Sequence, residues 1–204
     1  VNPSHEGTRV IVGEDFDYNT YLELAKHPRV IGIGECGLDF YHITSDTGEF
    51  KDRQQAAFEA QLDLAIEIDK PVMIHCRDAY GATLRTLKKF QEKAGGKLRG
   101  NFHFFAGTIE HAKEILALGF TISFTGVITF APQYRELVEF VPLDKMHAET
   151  DSPYVAPVPF RGKRNEPLYV IEVVKKIAEI KGLSIETVAN QLILNAENLF
   201  GIKI

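Results

Sequence analysis

Two carboxylates and two imidazoles carry the chemistry this chain could do: Glu35, His75, His103 and Asp151. Each falls at or beside the end of a short apolar, β-branched-rich run, the runs being 30–34, 71–76, 98–105 and 145–151. Neutral imidazole suits borderline divalent ions such as Zn²⁺, and carboxylates complete such sites or hold harder ions. A pair of such ions, ~3.5–4 Å apart, is suited to clamping a phosphoryl group. Each residue alone also has an ordinary structural use. His75 after Val72-Met73-Ile74 fits a satisfied core histidine, Glu35 after Gly34 a turn cap, and Asp151 before Ser152-Pro153 a turn former. As a set they weigh differently, because buried charge is costly unless it is paired or coordinated.

The elements that must position these residues follow from periodicity. Segment 53–70 places Phe58, Leu62, Ala65, Ile66 and Asp69 at helical intervals, giving one apolar face with a polar boundary. Segments 79–90 and 108–118 repeat the pattern, with Thr108 as N-cap and Gly119 as the stop. A shorter helix at 133–140 is closed by Pro142, and helices at 167–181 and 184–200 are split by Gly182, with Ser184 capping the second. A fifth apolar run lies at 119–126. Strands alternating with helices imply βαβ units and a parallel sheet. Polar residues at the C-terminal ends of the runs favour an α/β barrel, whose strand ends converge on one mouth. The rival open sheet has one weak cue, Gly32-Ile33-Gly34-Glu35-Cys36-Gly37. It sets a carboxylate where a pyrophosphate would lie, with no helix following closely.

Composition narrows the class. The chain has 204 residues, 23 Lys+Arg against 28 Asp+Glu, a formal net charge of −5 and 45% hydrophobic residues. No apolar run approaches the ~20 residues of a membrane span, and the apolar content argues against disorder. The acidic balance argues against coating nucleic acid by bulk charge while permitting a local basic patch. Only two cysteines, Cys36 and Cys76, point to a reducing, cytoplasmic setting rather than a disulfide framework. Each follows a candidate ligand, so strand alternation turns it away from the mouth and into packing. The first residues carry no signal-peptide pattern, and no obligate protein partner is evident.

The residues also carry a family resemblance. Gly34-Glu35-Cys36-Gly37-Leu38-Asp39-Phe40-Tyr41, Pro71-Val72-Met73-Ile74-His75-Cys76-Arg77-Asp78-Ala79, His103-Phe104-Phe105-Ala106-Gly107 and Glu149-Thr150-Asp151-Ser152-Pro153-Tyr154 resemble, in order, the signatures of TatD-type metal-dependent deoxyribonucleases. The stretch Arg161-Gly162-Lys163-Arg164-Asn165-Glu166-Pro167 is similar to that family's as well. The resemblance implies a (β/α)8 TIM-type barrel of the metal-dependent hydrolase kind, with 1–204 as a single catalytic barrel domain. It implies hydrolysis of phosphodiester bonds in DNA, often as a 3′→5′ exonuclease. It also implies that Glu35 bridges two divalent ions (Zn, Mg or Mn), that His75 and His103 hold one, and that Asp151 holds the other. Glu35 and Asp151 are the implied catalytic residues, Asp151 orienting or deprotonating the attacking water, whose pKa a bound metal can lower to ~7.

Supporting residues follow from parity and charge. Arg77 shares the parity of His75 and is a candidate for a substrate phosphate, its ordinary role being an ion pair with Asp78 or Asp39. Glu149 shares the parity of Asp151 and is a candidate to orient a ligand. Arg161, Lys163 and Arg164 form a basic loop that could meet a nucleic-acid backbone. Phe104 and Phe105 read as core. His5, His27, His42, His111 and His147 earn no role.

The sequence departs from the family at its start. No His-x-His occurs anywhere, and residues 1–6 resemble the end of the family's third strand, with Asn2 where that strand has His. The expectation is about five intact strands plus the end of a third, the C-terminal part of a longer barrel. Taken alone, such a chain is expected to bind one ion at most and to show little nuclease activity. Two other readings stand beside the nuclease: an amidohydrolase-type enzyme acting on an ester, lactone or amide, and a catalytically dead barrel serving as a binding scaffold.

Overall fold

Strands and helices alternate along the computed structural model, which describes residues 16–41 and 48–203. Helix α1 (Tyr18–Ala25) precedes β1 (Ile33–Asp39), α2 (Gly48–Glu67), β2 (Val72–Arg77), α3 (Tyr80–Lys93) and β3 (Gly100–Phe102). There follow α4 (Ile109–Ala117), β4 (Thr121–Phe124), α5 (Arg135–Phe140), β5 (Met146–Ala148), α6 (Val170–Lys181) and α7 (Ile185–Phe200). Sheet order is β1-β2-β3-β4-β5, and the β1/β2 and β4/β5 pairs are parallel, as the alternation predicts. The chain divides into two compact units, Val1–Asn101 and Phe102–Ile204. The expected strand end at 1–6, with His5, and the residue His42 lie outside the described residues. Among the described residues, no helix is long and apolar enough to cross a membrane.

In the first unit, α2 buries Phe58, Leu62, Leu64 and Ala65, and α3 buries Leu84, Leu87 and Phe90. Each large apolar side chain so buried contributes about 1.5–3 kcal/mol. Helix α1 has no counterpart in the sequence reading. Asp17 starts it, accepting from the N–H groups of Asn19 and Thr20. The first strand also differs from expectation, running 33–39 rather than 30–34. The reason is local. One extra residue is accommodated between Ile33 and Cys36, after which Cys36, Gly37, Leu38 and Asp39 pair with Ile74, His75, Cys76 and Arg77. That pairing needs glycine: a Cβ on Gly37 would lie 1.9 Å from the His75 carbonyl oxygen. Cys36 and Cys76 are buried, and burial pushes both thiols up to about 12, which leaves them inert as nucleophiles.

In the second unit, Phe102, Phe105, Ile115, Phe120, Ile122, Phe124 and Met146 are fully buried. Thr108 caps α4 in a reciprocal pair with His111, and Ser184 caps α7 by accepting from the Thr187 N–H at 3.1 Å. Gly182, in the left-handed region at φ 66°, ends α6. Helices expected from 133 and 167 open instead as 3-10 turns at Pro132–Tyr134 and Pro167–Tyr169. Proline suits a first helical turn, where its missing N–H leaves no bond unmade.

Candidate functional site

In the first unit, β1 and β2 bring two carboxylates to one imidazole. His75 Nδ1 lies 2.7 Å from Glu35 Oε1, and its Nε2 lies 3.1 Å from Asp39 Oδ2. Asp39 is buried and firmly held. The Tyr41 N–H donates to its Oδ1 at 3.0 Å. The Gln54 amide, reaching from α2, accepts from the Asp39 N–H at 2.8 Å and donates to its carbonyl at 2.9 Å. Burial alone would lower the His75 pKa; the hydrogen bonds and charges of Asp39 and Glu35 outweigh it and raise His75 to about 9.

The second unit repeats the motif with different scaffolding. His103 Nδ1 lies 2.6 Å from Glu149 Oε2. Glu149 Oε1 accepts from the Phe104 N–H at 2.7 Å and also meets the Ser123 hydroxyl. Burial would raise the Glu149 carboxyl, but His103, Ser123 and the Phe104 N–H together hold it below its ordinary value. The other ring nitrogen of His103, Nε2, lies 3.9 Å from Asp151 Oδ1. Asp151 takes a left-handed conformation at φ 55°, one that Asp tolerates, at the head of a turn closed by the Tyr154 N–H on its carbonyl at 2.9 Å.

The expected residues do not all sit at strand ends. Glu35 is the third residue of β1, beside the bulge, and His75 is followed in β2 by Cys76 and Arg77. His103 lies just past β3, and Asp151 falls three residues after the last residue of β5. Arg77 is exposed, and its guanidinium covers the Tyr41 ring at 3.4 Å instead of pairing with Asp78 or Asp39. Arg161 covers Phe130 at 3.7 Å and donates to the Ala156 carbonyl at 3.0 Å; Lys163 and Arg164 are exposed.

Three residues of these groups were not singled out from sequence. Asp39 entered only as a partner for Arg77. Its signal was period-two spacing, since Glu35, Gly37 and Asp39 alternate onto one face. Gln54 reaches the Asp39 backbone and Ser123 the Glu149 carboxylate from other elements, and nothing local marks them.

A family model described as TatD related DNase matches residues 6–201. The chain belongs to this family. The uncharacterized metal-dependent hydrolase YcfH of Escherichia coli K12 is 40% identical over 191 residues, 93% of this chain and 69% of that protein. The 3′-5′ ssDNA/RNA exonuclease TatD of Pantoea vagans is 35% identical over 189 residues, 89% of this chain and 70% of that protein. Among solved structures, the TatD homolog YJJV of Escherichia coli K12 superposes with a TM-score of 0.79 at 27% identity, covering 91% of this chain and 69% of that one. Like other TatD-related proteins, the chain is a metal-dependent hydrolase, and its fold class is the (β/α)8 barrel, of which the described residues supply five strands.

Proposed function

We propose that this TatD-related chain hydrolyses phosphodiester bonds in DNA from the 3′ end, with residues 1–204 lying within one catalytic barrel domain. One observation carries the reading: each imidazole of the family signatures has a carboxylate on one ring nitrogen, the arrangement that orients a histidine for a metal. The resemblance of the ordered motifs assigns Glu35, His75 and His103 to one ion, and two imidazoles with a carboxylate suit a borderline divalent ion such as Zn²⁺. A bound divalent ion supplies Lewis acidity toward a phosphoryl oxygen and toward water.

The remaining roles belong to the chain's own groups. Asp39 fixes the His75 ring, and Glu149 fixes His103. His75 must give up the proton it shares with Glu35 before it can ligate, so loading releases a proton. Asp151, partly exposed, orients the attacking water and accepts its proton. Arg77 and Arg164 are the candidates for substrate phosphates. The family resemblance would give a second ion Asp151 and Glu35, and the given sequence carries no His-x-His pair to complete that set. One tight site per chain and a slow nuclease follow. The buried, unpaired thiols suit a reducing, cytoplasmic setting.

The test is release of nucleotides from 5′-labelled single-stranded DNA with added Mn²⁺ or Mg²⁺. Slow, metal-dependent shortening from the 3′ end is expected, falling to background in Glu35→Ala. Equal activity in Glu35→Ala, or cleavage of an ester or lactone without cleavage of DNA, contradicts the proposal.

A further inference from the structure

Helix α2 buries a mostly apolar face, and Gln54 stands on it with Phe58, Gln61, Leu62 and Ala65, only 6% exposed. A buried amide is costly unless its oxygen and its nitrogen both find partners. Gln54 finds both on one residue. Its Oε1 accepts from the Asp39 N–H at 2.8 Å, and its Nε2 donates to the Asp39 carbonyl at 2.9 Å.

The backbone of β1 explains why Asp39 is open to it. The Phe40 N–H donates to the Arg77 carbonyl at 2.9 Å, so Phe40 faces β2 and Asp39, one residue back, faces the other way. Strand β1 stands first in the sheet order, so among the described residues no strand meets that side. Gln54 supplies there the donor and acceptor that a neighbouring peptide would supply. With the main chain of Asp39 held by Gln54 and its Oδ1 by the Tyr41 N–H, Oδ2 is presented to His75 Nε2 at 3.1 Å. The opposite ring nitrogen, Nδ1, then faces Glu35 Oε1 at 2.7 Å.

We infer that Gln54 is a positioning residue for the metal centre, acting on His75 through the carboxylate of Asp39. This rests on the reading of His75 as a ligand, and it extends that centre by two hydrogen bonds to a helix that supplies no ligand. Gln54 makes no hydrogen bond of its own to His75 or Glu35. Its effect is to keep the Asp39 carboxylate in place, so that the imidazole is oriented before an ion arrives and less ordering is left to binding.

The test is calorimetric titration of Zn²⁺ into the full chain, with urea unfolding of each variant beside it. Gln54→Met keeps the length of the side chain and removes both bonds, and Zn²⁺ affinity falls about tenfold. In an Asp39→Ala background the same substitution changes affinity by less than about twofold, because the group it acts through is gone. Gln61→Met is the control: Gln61 is equally buried on the same helix but donates to the Ala57 carbonyl at 3.0 Å, and its loss lowers stability without changing Zn²⁺ affinity. Gln54→Glu keeps the acceptor for the Asp39 N–H and binds with an affinity between those of the parent and Gln54→Met, and it serves alone if Gln54→Met does not fold. Parental affinity in the Gln54 variants, an equal loss with and without the Asp39 carboxylate, or an equal loss in Gln61→Met overturns the positioning role and leaves the metal centre standing. A parent chain that binds no Zn²⁺ overturns the metal reading and the positioning role with it.

Discussion

His75 and His147 are equally buried, each 8% exposed, yet their imidazoles are driven in opposite directions. Burial disfavours the charged ring at both positions. At His75 the carboxylates of Asp39 and Glu35 outweigh it, and the pKa rises to about 9. At His147 the partner is the Thr121 hydroxyl, 3.0 Å from Nε2, and the charge of Glu149 offsets only part of the burial, so the pKa falls to about 4. Burial therefore does not mark a ligand. What separates the two is a carboxylate on the ring, a contact that His103 also makes, with Glu149 on Nδ1.

The larger test of this contrast is acid stability. His147 is neutral when folded and titrates near 6.5 when unfolded, so its contribution is complete above pH 6.5 and is lost as pH falls toward 4. Between pH 7 and pH 4 the parent should lose about 3 kcal/mol more than His147→Asn, read from urea unfolding at each pH. Parallel profiles for the two proteins would remove the contrast. A smaller effect is expected on the other side of it. Asp39→Asn keeps the shape of the side chain but withdraws its charge from His75, and Zn²⁺ affinity should drop about tenfold to a hundredfold by calorimetric titration. An unchanged affinity would make Asp39 a packing group.

The residues show which parts of this arrangement were legible. Helix caps were, because Thr108 and Ser184 each act on an N–H three residues away and Gly182 ends a helix within its own turn. The candidate ligands Glu35, His75, His103 and Asp151 were marked by the composition of the strands and by ordered motifs. The place of Glu35 was not, because a bulge and the glycine-dependent approach of Gly37 to His75 carry β1 onward to Asp39. The bracing groups were hidden for the same reason at longer range. Gln54 reaches Asp39 from a helix, Ser123 reaches Glu149 from β4, and Asn165 spans back to Thr150. Such contacts depend on tertiary structure and leave no periodic trace.

Calorimetric titration of the 204-residue chain with Zn²⁺, beside His103→Ala and His75→Ala, bears most directly on the metal centre. The account predicts one tight site in the parent and loss of that site in both variants. Undiminished affinity in His103→Ala would contradict it.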